Sequence, residues 1–287
     1  MVGNSMLENK YGLITGASRG LGLEMAVALT ESGLSGITIT AAPGSDETTA
    51  EMKEELEQAK MILTKAGVEV NAILSDVGVA KDCKRAIASH VDTFPSLDIL
   101  INNAGKAGRY AHLGEADNDI SSHDLAGISA IIATNLSGPY FMLHHALPHM
   151  RRLRRGRVIN VSKRTESMHR KAWTPYGPTK AALEAATIAW AESLADTGIT
   201  VNTLSPGGAV NTKFGTGAIT GHGIDPKTIR PMTVWLASSD SDEFNGCRFV
   251  ADRWDPSVTT TEAALGCQES QIFPEPERDT PLKKAWF

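Results

Sequence analysis

The stretch YGLITGASRGLGLEMAVAL, residues 11–29, carries three patterns in succession. YGLIT is short, apolar and β-prone, as a buried strand is. TGASRGLG follows at once, and its Gly16, Gly20 and Gly22 let a backbone turn sharply and approach another group closely. Leu21, Met25 and Leu29 then fall on one helical face until Gly33 ends the run. A strand, a glycine turn and a helix in this order place the helix N-terminus where a phosphate is welcome. A turn that binds nothing would serve as a connection too, but its place in a strand–turn–helix unit favours phosphate. Gly16, Ser18, Arg19, Gly20, Leu21 and Gly22 are therefore candidate cofactor-binding residues.

The same alternation continues outward. Strand-like runs stand at residues 37–40, 68–74, 98–102, 157–161, 199–204 and 247–251, with helical patterns between them. Strands separated by helices require crossover connections and hence parallel pairing. Apolar residues at consecutive positions suit strands covered on both faces. The spacing predicts an α/β fold: a Rossmann-like, doubly wound parallel sheet of about seven strands, with helices on both faces. No repeat or linker divides the chain, so residues 1–256 are expected to form one domain and the polar, proline-rich residues 257–287 a loose tail.

The end of the second strand tests the cofactor. An acid there would hold a ribose 2′-hydroxyl. Ala41 and Ala42 occupy it instead, and the first acid is Asp46, with Ser45 and Thr48 nearby. With no carboxylate to repel a 2′-phosphate and Arg19 to attract one, NADP(H) is expected over NAD(H).

Bulk composition narrows the partners. The 287 residues have a net charge of -5, which argues against a broad nucleic-acid or anionic-membrane surface. Cys83, Cys247 and Cys267 are widely separated, so neither a disulfide framework nor a thiolate metal site is expected. No apolar run is read as a membrane span, and the expected location is the cytoplasm. His145 and His149 have helical metal-clamp spacing, but Pro148 lies between them and no glutamate completes a hydrolytic motif. No metal is expected. The basic run 151–157 joins a helix end to a strand, where solvation and the helix dipole account for it.

Further motifs lie downstream: Asp76-Val77, NNAG at 102–105, Asn135 in ATNLSGP, Tyr176-x-x-x-Lys180, and PGGAVNT from Pro206 to Thr212. With the glycine turn, they resemble in order the short-chain dehydrogenase/reductase family over roughly residues 10–255. The resemblance implies hydride exchange between a nicotinamide and a ketone or secondary alcohol of small to medium size. It implies catalytic roles for Tyr176, Lys180 and Asn135. It assigns Asp76, Val77, Asn103, Ala104, Gly105, Tyr176, Lys180, Pro206, Gly207 and Thr212 to the cofactor. It also implies a homodimer or homotetramer formed through the helices flanking the catalytic strand, with Trp190 and Leu194 as contacts. The loop 106–119 and a lid over 213–228 are expected to meet the substrate.

One position departs from the family's pattern. Thirteen residues before the tyrosine, where the family has a serine or threonine hydroxyl, stands Lys163. Three arrangements follow. A local bulge brings Ser162, or Thr165, to the reacting oxygen. Alternatively Lys163 points inward, where two ammonium groups roughly 6 Å apart at an effective dielectric near 20 repel by about 3 kcal/mol. In the third, Lys163 reaches solvent and the hydroxyl is lost. Ser162 and Lys163 are both candidate catalytic residues. A nucleotide-retaining isomerase, dehydratase or cyclase, and an inactive nucleotide-binding regulator, are the competing functions.

Overall fold

The computed structural model describes residues 6–45, 47–107, 120–170, 173–214 and 223–273. Asp46, most of the loop 106–119, the centre of the expected lid and the last fourteen residues of the tail lie outside them.

Each strand-like run forms a strand. In chain order the sheet elements are β1 (Tyr11–Ile14), β2 (Gly36–Ala41), β3 (Glu69–Leu74), β4 (Ile99–Asn102), β5 (Gly156–Val161), β6 (Ile199–Ser205), β7 (Arg248–Val250) and β8 (Gln268–Glu269). They lie in the order 3-2-1-4-5-6-7-8, all parallel except the antiparallel pairing of β7 with β8. The sheet is thus doubly wound, with one strand more than the pattern suggested. That strand comes from the segment expected to be a loose tail. Thr259 caps a helix, α8 (Thr260–Cys267), through a capping box with Glu262, and β8 follows directly. The folded unit therefore runs past residue 257, because Ala264 and Cys267 are buried against the main core.

The helices that sandwich the sheet are α1 (Gly20–Glu31), α2 (Thr49–Lys65), α3 (Ala80–Thr93), α4 (Leu125–Ile132), α5 (Gly138–Leu153), α6 (Tyr176–Ser193) and α7 (Arg230–Ala237). Alternating strand residues feed two apolar layers, since successive side chains leave opposite faces. Ile14, Ile99, Ile101 and Ile159 join α1, α2 and α7 on one face. Leu13, Leu100 and Val158 join α3 and α5 on the other.

A π-helical turn, Ala133–Ser137, links α4 to α5 into one helical run. By length and composition the run Leu125–Leu153, mean hydropathy 1.2 in its most apolar window, could cross a membrane, contrary to the sequence expectation. Its Met142, Leu143, Ala146 and Met150 instead pack into the second apolar layer. Leu194, expected at a subunit surface, is buried in that layer, whereas Trp190 is only partly covered and stacks edge-on against exposed Tyr140 at 4.6 Å.

Candidate active site

The C-terminal ends of β1, β4, β5 and β6 converge on one edge of the sheet, where a doubly wound fold binds ligands. The glycine turn follows β1 there. Gly16 (φ +66) and Gly20 (φ +59) adopt left-handed conformations. A Cβ on Gly16 would lie 2.9 Å from Ala104 Cα, and one on Gly22 would collide with the Gly16 carbonyl and the Asn103 amide. Asn103 explains why the turn keeps its shape. Its Nδ2 donates to the Thr15 and Gly16 carbonyls at 2.9 and 2.8 Å, and its backbone N–H donates to Thr15 Oγ1 at 3.0 Å. The first turn of α1 holds no acidic side chain, so its positive end is uncompensated.

Asp76, just past β3, accepts from the Gly78 N–H at 2.8 Å, and the Lys106 ammonium lies 3.7 Å from its other oxygen. Val77 is buried beneath Gly138. Past β6, Gly207 (φ +99) lies so close to the Asp252 carboxylate that any Cβ would overlap it. The Thr212 methyl comes 3.4 Å from the Cβ position of Gly20. Ser18 is half-buried, and Leu21 packs on the main core. The Ser45 and Thr48 hydroxyls bond to each other at 3.2 Å.

Tyr176 opens α6 and Lys180 follows one turn later, both buried. Burial pushes the Tyr176 phenol above its usual range. Burial also lowers the Lys180 ammonium to about 8, with Glu184 on the next turn pulling it back up. Lys180 Nζ donates to the Val161 carbonyl at 2.7 Å, which joins the helix to the end of β5. Asn135, in the π turn, accepts from the Lys106 N–H at 2.8 Å and donates to the Lys106 carbonyl and to Thr179 Oγ1 at 3.0 and 3.2 Å. Thr179 in turn donates to the Tyr176 carbonyl at 2.7 Å. The asparagine thus ties the segment after β4 to the first turn of α6.

At the departing position the structure takes the second of the three arrangements. Ser162 N–H donates to the Leu204 carbonyl at 2.9 Å, continuing the β5–β6 register without a bulge. Its hydroxyl donates to Glu184. Glu184 lies eight residues beyond Tyr176, about 12 Å along the helix at ~1.5 Å per residue, so Ser162 is committed away from the phenol. This corrects the expectation that Ser162 supplies the hydroxyl. Thr165 lies in a 3-10 turn that lines, with Gly207 and Arg248, a polar cleft of about 180 Å³. Lys163, on the alternate face, is buried. Its Nζ lies 3.6 Å from the centre of the Trp173 ring and 4.7 Å from that of Tyr176, and donates to the Ser167 carbonyl at 3.2 Å. Burial, then Lys180, then Arg170 lower this ammonium to about 7.

Comparisons with known proteins bear on the fold and the family. The short chain dehydrogenase family model matches residues 10–219. A 3-oxoacyl-acyl-carrier-protein reductase, FabG, from Staphylococcus aureus is 35% identical over 202 residues, covering 70% of this chain and 75% of its own. The uncharacterized oxidoreductase YhdF from Bacillus subtilis is 30% identical over 269 residues, covering 87% of this chain and 86% of its own. A crystal structure of a candidate short-chain alcohol dehydrogenase from Sinorhizobium meliloti 1021 superposes with a TM-score of 0.73 at 27% identity, covering 87% of this chain and 97% of that one. The chain belongs to the short chain dehydrogenase family.

In this short chain dehydrogenase, three further residues shape the site. Arg248 on β7, whose side chain is wholly buried, pairs with Glu184, donates to Glu269 at 2.7 Å, and donates to the Lys163 carbonyl at 2.7 Å. The pair Glu184–Arg248 therefore fixes the backbone from which Lys163 projects. Glu184 was legible as the residue one turn beyond Lys180 on the same helix face. Arg248 carried no signal, because an arginine in a three-residue strand reads as an edge. Trp173 likewise has no regular spacing to the tyrosine pair. Among the described residues no group of three His, Cys, Asp or Glu side chains could hold a metal.

Proposed function

We propose that this oxidoreductase interconverts a ketone and a secondary alcohol on a small to medium-sized substrate, with NADP(H) as its cofactor and Tyr176, Lys180, Asn135 and Lys163 as its site. The observation that carries this reading is the buried Tyr176–Lys180 pair, with the Lys163 ammonium 4.7 Å from the phenol ring.

The residues fit a dinucleotide. Gly16 and Gly22 form a cradle that any Cβ would fill, and the N-terminus of α1, with no acidic residue in its first turn, would face a phosphate there. Gly16, Ser18, Gly20, Leu21 and Gly22 would hold the pyrophosphate side, and Arg19 the ribose 2′-phosphate. Asp76, Val77, Asn103, Ala104 and Gly105 would line the adenosine half and the centre, and Pro206, Gly207, Thr212, Tyr176 and Lys180 the nicotinamide half. When bound, the nicotinamide supplies or takes up the hydride.

The side chains handle the proton. Negative charge grows on the carbonyl oxygen during reduction, and Tyr176 gives that oxygen its proton. Phenolate is left, and the buried Lys180 ammonium stabilises it. Lys163 stands where the family has a hydroxyl and donates to the same oxygen, as a cation rather than a neutral group. Asn135 holds Thr179 and the backbone at Lys106, which keeps the first turn of α6 in place. The FabG relative reduces a 3-oxoacyl group, which supports a ketone substrate here. Tyr140 and Trp190 offer an aromatic surface on α5 and α6 for a homodimer or homotetramer, and three free cysteines fit the cytoplasm.

The test is NADPH absorbance during incubation with candidate ketones, with products analysed in parallel. Oxidation of NADPH in step with alcohol formation, lost in Tyr176→Phe, is the expected result. Product without NADPH consumption would establish the non-redox reading instead, and no product with bound nucleotide the regulator.

A further inference from the structure

Several cations around the groove have carboxylates. Arg19 Nη1 donates to both oxygens of Glu55 on α2, at 2.8 and 3.0 Å. Arg248 has Glu184 and Glu269, and the Lys106 ammonium lies 3.7 Å from Asp76. Among the described residues Lys163 has none. Its hydrogen bond goes to a neutral group, the Ser167 carbonyl at 3.2 Å, and the charges that act on it are the like charges of Lys180 and Arg170.

That setting takes charge off the amine. Nζ sits over two rings, 3.6 Å from the centre of Trp173 and 4.7 Å from that of Tyr176, in a buried position. A ring face favours the ammonium, but lost hydration and two neighbouring cations act against it and outweigh the rings. With the group lowered to about 7, about half of Lys163 is a neutral amine at pH 7, against under about one in a thousand of an ordinary lysine. A desolvated amine next to another cation is the arrangement that makes a lysine nucleophilic toward a carbonyl carbon. Tyr176, beside it, is the acid that such an addition needs. Trp173 and Phe214 flank the phenol at 6.1 and 5.9 Å, centre to centre, and are 42% and 44% exposed. Aromatic surface thus runs from the buried amine out to solvent, which suits a flat aryl group.

We infer that Lys163 is a covalent site: its amine condenses with aromatic aldehydes to form an imine, with Tyr176 as the acid. The nitrogen bonds to the carbonyl carbon as the phenol gives the oxygen a proton, and the nitrogen returns a proton to the phenolate. A second proton from the phenol then lets the hydroxyl leave as water, and the nitrogen lone pair closes the C=N bond. One aldehyde and one amine become one imine and one water, with no change of oxidation state. This activity goes beyond hydride exchange and needs no nicotinamide. It stands on the position of Lys163 beside the phenol, not on the cofactor reading.

Reductive trapping of the full chain, without nucleotide, tests this. Benzaldehyde and cyanoborohydride at pH 7 convert an imine to a stable benzylamine, which peptide mass mapping places on the chain. Lys163 should be labelled at least about 10-fold faster than the exposed Lys53 and Lys65. In guanidinium, where the site is gone, the ratio should fall to about one. Tyr176→Phe should slow labelling of Lys163 by about 10²-fold and leave Lys53 and Lys65 unchanged, the scale of one lost general acid. Labelling of folded Lys163 no faster than Lys53 would overturn the inference, and equal labelling with and without the phenol would remove Tyr176 from it. Because no nicotinamide is present, neither outcome touches the reductase reading, which NADPH oxidation tests separately.

Discussion

Lys163 places an ammonium beside Tyr176, and its chemistry sets a pH signature. Lowered to about 7, it is a donor below that pH and a neutral amine above. Carbonyl reduction needs a donated proton, so kcat/KM for reduction should fall as pH rises through about 7, with a further fall near 8 as Lys180 loses its charge. Lys163→Met should delete the lower step, leave the one near 8, and slow reduction by about 10²-fold, the scale of one lost oxyanion donor. Lys163→Ser should recover most of that loss with no step at 7. An unchanged pH profile in Lys163→Met would show that the amine is a bystander. Tyr176, Lys180 and Asn135 were legible because one turn of helix and an ordered set of motifs fix them. Which of Ser162 and Lys163 faces the phenol was not. One residue of register reverses the answer, and the β5–β6 ladder, which the bond from Ser162 N–H to the Leu204 carbonyl continues, sets that register.

At the scale of elements, the seven longer strands could be read because each is apolar or β-branched on consecutive positions. β8 could not. It is two polar residues long, and what seats it is charge: Glu269 bridges buried Arg248 and half-exposed Arg253. The helix before it, α8, is apolar on too few positions to stand out from a polar tail. This makes the C-terminal segment part of the site's scaffold, since Arg248 also holds the Lys163 carbonyl. Glu269→Gln removes one of two carboxylates from a guanidinium that water does not reach, and should cost about 1–3 kcal/mol of stability. Glu166→Gln removes the partner of Arg164 on the surface and should cost under about 0.5 kcal/mol. Urea unfolding of the two variants beside wild type measures both. Equal midpoints would mean that β8 contributes nothing to the core network.

Across the whole molecule, three buried bases are held below their ordinary pKa, and the stability of the fold inherits their titrations. His90 on α3 is buried, with Nδ1 2.8 Å from the Thr38 hydroxyl and Nε2 2.9 Å from the Ser96 carbonyl. The carbonyl requires N–H at Nε2, and because burial favours the neutral ring, Nδ1 is left to accept from Thr38. Burial lowers it from 6.5 to about 4. Between those values the unfolded chain binds a proton that the folded one does not, so stability rises with pH across that window, by about 3 kcal/mol in all. Lys163 and Lys180, lowered from 10.5 to about 7 and about 8, act in the same sense from pH 7 upward. Glu184 opposes them in acid, because its carboxyl is raised by burial and favours the folded state when protonated. The thiols of Cys83 and Cys267, raised to about 12 and about 11 from 9.0, oppose them above pH 9. The urea midpoint of wild type should therefore climb from pH 4 to 6.5 and again from about 7 to 9. His90→Gln should flatten the first climb and leave the second, while Lys163→Met should leave the first and shrink the second, which then begins only near pH 8, where Lys180 titrates. A midpoint that falls between pH 7 and 9 would show that Lys163 is as well solvated in the folded protein as in the unfolded chain, and would remove the basis for its place beside the phenol.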